Sequence, residues 1–142
     1  VTAFAKTPDS GVVRETDIVT FIDGSPIESY NYNDYTYVVA EDLANYGFDV
    51  TYDDSARKLV IRRNKDKGTD PIALDIYKNR NGQRAFFVKD SNITVALDTD
   101  GGEHILKDVY NVGGYTCISV DELANYFNFK WSNADMAAYI EF

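Results

Sequence analysis

One seventeen-residue phrase occurs twice in this chain, and that duplication restricts the available folds more than any single motif does. Residues 30–46 read Tyr-Asn-Tyr-Asn-Asp-Tyr-Thr-Tyr-Val-Val-Ala-Glu-Asp-Leu-Ala-Asn-Tyr, and residues 110–126 read Tyr-Asn-Val-Gly-Gly-Tyr-Thr-Cys-Ile-Ser-Val-Asp-Glu-Leu-Ala-Asn-Tyr. At a constant offset of 80, eight of the seventeen pairs are identical: Tyr30/Tyr110, Asn31/Asn111, Tyr35/Tyr115, Thr36/Thr116 and the Leu-Ala-Asn-Tyr block. Unrelated segments of this length agree at about one position, so the phrase marks a duplicated structural unit.

Local signals around each copy give the same order of elements. Ile18–Ile22 predicts a strand, Asp23-Gly24 a tight hairpin turn, and Ile27–Tyr32 the return strand. Asn33-Asp34 turns the chain into Tyr35–Val39, and a short helix follows over 40–46, with Gly47 as its left-handed stop. Phe48–Tyr52 and Lys58–Arg62, joined through Asp53-Asp54-Ser55, make a closing hairpin. The charged, apolar-free stretch Asn64–Asp70 before Pro71 divides the chain into units 1–66 and 67–142.

In the second unit, Ile72–Tyr77 and Arg84–Val88 flank an Asn-Gly turn. Ile93–Asp98 then repeats the first strand, and its turn is five residues longer than its counterpart. Ser119 and Glu122 have capping-box spacing for a helix over 120–127. Phe127 occupies the place of Gly47, so Asn128 is expected to take the left-handed turn. Phe129–Trp131 and Ala138–Phe142 form the last hairpin. The expected fold is α+β: two similar repeats, packed together, each a mostly antiparallel sheet with one short helix.

The 142 residues carry 14 Lys plus Arg against 23 Asp plus Glu, a formal net charge of -9. Such a field repels phosphate backbones, so nucleic acid is not an expected partner. No apolar run approaches the ~18 residues of a membrane span. A single cysteine, Cys117, gives no internal disulfide and is read as a half-buried strand thiol. Ala3-Phe4-Ala5 has the small-x-small form that ends a secretory signal.

Together these residues resemble the copper amine oxidase N-terminal-like, or stalk, domain. The likeness is carried by Asp23-Gly24, Tyr30-Asn31, Tyr35-Thr36, Glu41-Asp42-Leu43-Ala44 and Val50-Thr51-Tyr52-Asp53 in the first copy. In the second it is carried by Tyr110-Asn111, Gly113-Gly114-Tyr115-Thr116, Asp121-Glu122-Leu123-Ala124 and Trp131. Asn33-Asp34 departs from the usual Gly-Gly turn. The resemblance implies the fold and a secreted or cell-surface location, the domain being common in Gram-positive bacteria and often in tandem copies. The expected function is a non-enzymatic stalk or binding module, with cell-wall polymer or a surface protein as partner.

The residues themselves supply no catalytic set. Copper amine oxidation needs three imidazoles and a convertible tyrosine in Asn-Tyr-Asp/Glu, whereas His104 is the only histidine and no Asn-Tyr pair precedes a carboxylate. His104 is read as a surface loop residue. Glu41-Asp42 and Asp121-Glu122 suit the first turn of a helix, where carboxylates meet the positive end of the helix dipole. Asp98–Glu103 alternates carboxylates and glycines as a calcium-binding loop can, and equally as a lengthened turn. Arg62, Arg63, Lys65 and Lys67 form the one basic cluster, read as a solvated strand end.

No catalytic, cofactor or metal residue is therefore assigned. Glycan or cell-wall hydrolysis and calcium-dependent adhesion stand as the alternative functions. Strand parity sets Val38 and Ile118 toward the core and turns Tyr35, Tyr37 and Tyr115 to the other face, as a candidate partner surface or as packing.

Overall fold

The computed structural model describes residues 12–72 and 85–142, and these are mostly β, arranged in several small sheets. The expected strand 72–77 lies outside the described residues beyond Ile72, as does the Asn-Gly turn after it. In chain order the strands are β1 (Val12–Glu15), β2 (Val19–Ile22), β3 (Ser25–Ile27), β4 (Tyr30–Tyr32) and β5 (Tyr35–Val39). A 3₁₀ helix, Ala40–Asn45, precedes β6 (Phe48–Asp53) and β7 (Lys58–Arg63). Then come β8 (Ala85–Asp90), β9 (Thr94–Thr99), β10 (Gly102–Ile105), β11 (Tyr110–Val112), β12 (Tyr115–Ser119), α1 (Val120–Ala124), β13 (Asn128–Ser132) and β14 (Ala137–Glu141).

The turns follow from their residues. Asp23-Gly24, Asn33-Asp34 and Gly113-Gly114 are two-residue loops with both φ angles positive, the geometry whose twist matches paired antiparallel strands. The four-residue loops 54–57 and 133–136 each close on a left-handed residue, Arg57 and Met136, both at φ 51°. The residues added around 98–103 form no wide loop. They lengthen β9 and β10, which meet at a two-residue turn between Thr99 and Gly102.

The expected strand Ile27–Tyr32 divides in two. Ser29 is 1% exposed, and its hydroxyl takes the Thr20 N–H at 3.2 Å and donates to Thr20 Oγ1 at 2.8 Å. β3 before it and β4 after it join different sheets.

Pairing between strands ties the early part of the chain to the late part. One four-stranded sheet runs β10-β9-β7-β6, with β9 parallel to β7, and the other runs β13-β14-β2-β3, with β14 parallel to β2. Each therefore takes one hairpin from before Asn64 and one from after Asp90. Between them β11-β12-β5-β4-β1-β8 closes into a six-stranded barrel.

The registers share an arithmetic. Val38 lies opposite Ile118, 80 positions on, and Val12 opposite Phe87, 75 positions on. Val19 pairs with Ala137, as Thr94 (75 after Val19) pairs with Lys58 (79 before Ala137). The entry bonds correspond as well: Val19 N–H donates to the Met136 carbonyl at 3.2 Å, and Thr94 N–H to the Arg57 carbonyl at 2.9 Å.

The main core fills the space between the barrel and the two sheets. Val38 and Ile118 reach it from the barrel, Ile22, Ile27 and Ile140 from one sheet, and Leu59, Ile61, Val95 and Leu97 from the other. Leu43 and Leu123 close it from the helices, and both are buried. Tyr46 enters the same core, and its hydroxyl donates to the Pro26 carbonyl at 2.6 Å. Burial holds the Tyr46 phenol above its ordinary range.

The helices differ because their caps differ. Ser119 Oγ accepts from Asp121 N at 3.1 Å and starts an α-helix. Val39 has no side-chain acceptor, and the first helix winds in the tighter 3₁₀ form. The expected capping box is only half formed, since Glu122 Oε1 accepts instead from Lys107 N at 2.6 Å. Asn128 opens β13 and takes no positive φ.

At Gly47 φ is +85°, and an added Cβ would lie 2.8 Å from Arg63 Nη1. That nitrogen donates to the Gly47 carbonyl at 2.7 Å, while the guanidinium lies 4.3 Å from the Phe142 ring centroid. Gly47→Ala should therefore lower stability by about 2 kcal/mol or more, through left-handed strain and displacement of Arg63. Urea unfolding measures this, and a change below about 0.5 kcal/mol would show that Arg63 yields freely.

Candidate functional site

The three tyrosines singled out by strand parity do not share a surface. Tyr37 is 4% exposed, because the face opposite Val38 is not open: the sheet closes on itself, and that face becomes the barrel interior. There Tyr37 meets Tyr32 and Tyr110 edge to face, at centroid distances of 6.1 and 5.8 Å, beside Val39, Val112 and Cys117. Tyr37 is thus a packing residue and leaves the candidate partner surface. Tyr35 and Tyr115 stand at turn tips, 54% and 58% exposed. β5 and β12 pair antiparallel, Val39 with Cys117 and Tyr37 with Ser119, so Tyr35 and Tyr115 stand at opposite ends of the pairing.

Cys117 is 2% exposed, and burial, with Glu41 and Asp42 nearby, pushes its thiol up to about 12. His104 is half-buried: its ring stacks on Tyr126 at 4.4 Å, and Nε2 lies 2.9 Å from Thr99 Oγ1. Two of the three carboxylates of the 98–103 hairpin have cationic partners. Asp98 binds Arg62, and Glu103 binds Lys58. Among the described residues no three His, Cys, Asp or Glu side chains converge to hold a metal ion. Arg63 and Lys67 of the basic cluster bind carbonyls, those of Gly47 and Phe48.

Two concave regions stand out among the described residues. The wider, about 900 Å³, runs beside Arg62, Arg63 and Phe142. Of the charges lining it, Arg62, Arg63 and Asp98 are committed to the partners just named. The other, about 430 Å³, is lined by Glu41, Ala44, Val50, Tyr52, Leu59, Ile93, Gly114 and Thr116. It joins the 3₁₀ helix and the β6–β7 hairpin to the 113–116 turn. Glu41 Oε1 accepts from Thr116 N at 2.9 Å. Sequence reading assigned Glu41 to its own helix end, and nothing local signalled a bond to a backbone N–H 75 residues away. Beside it, Asp42 is held above the usual carboxylate range, first by burial and then by Glu41.

Comparison with known proteins assigns nothing further: no family model, curated protein or solved structure matches the chain.

The placements separate packing from exposure. Tyr37→Ala should cost on the order of 3–5 kcal/mol, whereas Tyr35→Ala and Tyr115→Ala should each stay within about 0.5 kcal/mol, read by urea unfolding. A small loss at Tyr37 would contradict its place in the barrel.

Alkaline pH offers a second check. Cys117, Tyr37 and Tyr46 all have pKa values raised on folding, so the unfolded chain releases their protons first. Their stabilisation is complete below the unfolded thiol value and lost as pH rises from about 9 toward 12. Tm should therefore hold from pH 7 to 8.5 and fall beyond. Cys117→Ser should make the first part of that fall shallower.

Proposed function

We propose that the chain is a non-enzymatic, secreted or cell-wall-associated stalk and binding module made of two similar α+β repeats, about 1–66 and 67–142. On this reading the repeats are related by an approximate two-fold axis and have exchanged their sheet partners. The observation that carries the reading is the register: positions 80 apart face each other at Val38 and Ile118, and the two parallel pairings join corresponding strands, Val19 with Ala137 and Thr94 with Lys58. A body tied together this way is stiff between its ends, as a spacer requires.

Contact with a partner falls to the exposed rings on ordered backbone. Tyr35 and Tyr115 project from tight turns at separated points, so an extended partner, such as a wall polymer, can engage both. Two weak contacts joined by one polymer reinforce each other through effective concentration.

Sedimentation with purified Gram-positive cell walls tests the proposal. The protein should pellet with the walls and release no soluble fragments, and the Tyr35→Ala/Tyr115→Ala double variant should pellet several-fold less with an unchanged Tm. Release of wall fragments, or pelleting that ignores the double change, would overturn it.

A further inference from the structure

The 430 Å³ cleft at Glu41 sets an apolar wall around a single carboxylate. Val50, Leu59 and Ile93 form the wall, and Tyr52, 45% exposed, stands at its rim. No cation lines it. The Thr116 N–H holds Oε1, which fixes the carboxylate in place. Among the described residues Oε2 has no protein partner. The chain's net charge of -9 adds to the pull on a cation.

We infer that this cleft binds a primary ammonium carried on an apolar stem, with Glu41 Oε2 receiving the ammonium and the Val50–Leu59–Ile93 wall receiving the stem. The number of free oxygens selects the cation. A guanidinium binds best through two parallel hydrogen bonds to both carboxylate oxygens, but one of these is already occupied. An ammonium is a compact point charge that needs only one. A neutral alcohol of equal length gains the wall but not the charge, and an alkyl carboxylate is repelled. The volume lies within the range of small-molecule sites. A free alkylamine and a lysine side chain share this chemistry.

The other half of the chain provides a control. Seventy-nine positions beyond Val50 and Tyr52 stand the bulkier Phe129 and Trp131, and eighty beyond Glu41 stands the shorter Asp121, itself exposed. Val50→Phe thus transfers a side chain that a matching strand already accommodates, and it should fill the cleft without unfolding the protein. The inference does not depend on what Tyr35 and Tyr115 contact.

Amide-shift titration of the whole chain with hexylamine, hexanol, butylguanidine and Nα-acetyl-lysine amide tests it. Hexylamine should saturate a site whose shifted signals centre on residues 41, 50, 59 and 116. Hexanol and butylguanidine should bind at least tenfold more weakly, and raising NaCl to 0.5 M should weaken the amine several-fold. Glu41→Gln, which keeps an oxygen for Thr116, should lower amine affinity tenfold or more. Val50→Phe should abolish binding at unchanged Tm, and it carries the test if Glu41→Gln fails to fold.

Acetyl-lysine amide binding as well as hexylamine assigns the site to lysine side chains of a partner peptide, and tenfold weaker binding assigns it to free amines. Equal binding of hexanol, wild-type affinity in Glu41→Gln, or no saturable amine site would overturn the inference.

Discussion

The antiparallel pairing of β5 with β12, centred on Val38 opposite Ile118, is the constraint from which the other contacts follow. It sets the parity of both strands at once. Val38 and Ile118 point into the main core, while Tyr37, Val39 and Cys117 point into the barrel. A slip of one residue would exchange those sets, placing tyrosine against the packed aliphatic core and leaving the barrel underfilled. The same pairing launches the two helices in opposite directions. Each helix delivers its hairpin, β6–β7 or β13–β14, to a sheet begun by the other half. Ion pairs from β7 to the β9–β10 hairpin, Arg62 with Asp98 and Lys58 with Glu103, then lie across a seam already fixed by backbone bonds. Exposed pairs of this kind contribute about 0–1 kcal/mol each.

Neither half has a complete sheet of its own outside the barrel. A hairpin alone is marginal in water, and three or more strands over an apolar face are needed for independent stability. The parallel seams at Val19–Ala137 and Lys58–Thr94 supply those further strands. Many of the chain's contacts therefore join residues far apart in sequence, the pattern of slow folding and all-or-none unfolding. The same interleaving explains the Glu41 cleft, whose wall takes Val50 and Leu59 from the first half and Ile93 from the second, and whose backbone clamp, Thr116, also comes from the second.

Much of the local structure was legible in the residues. Asp23-Gly24 and Gly113-Gly114 announce their turns because glycine accepts positive φ freely. Asn33-Asp34 reaches the same geometry at φ 51° and 66°. Ser119 announces its helix. What stayed hidden depends on partners at a distance. Alternation showed that Tyr37 opposes Val38 but not that the sheet closes over it. Glu122 had ideal spacing to cap its own helix, yet it caps the Lys107 N–H, which only the fold brings near. His104 had no imidazole or thiol neighbour in sequence, and its partner is the Tyr126 ring, 22 positions on. The division at Asn64–Asp70 is a real change in composition, but every sheet takes strands from both sides of it. Hairpin signals say where strands turn; they do not say which other hairpin will lie alongside.

The exchange of sheet partners is the central claim, and separate expression of residues 1–66 and 67–142 tests it most directly. The account predicts that neither piece alone gives a folded monomer. Each is unfolded or self-associates through its β5 or β12 edge, and an equimolar mixture restores dispersed amide resonances and one cooperative unfolding transition. A piece that folds alone, with a cooperative transition and a monomeric mass at every concentration, would contradict it.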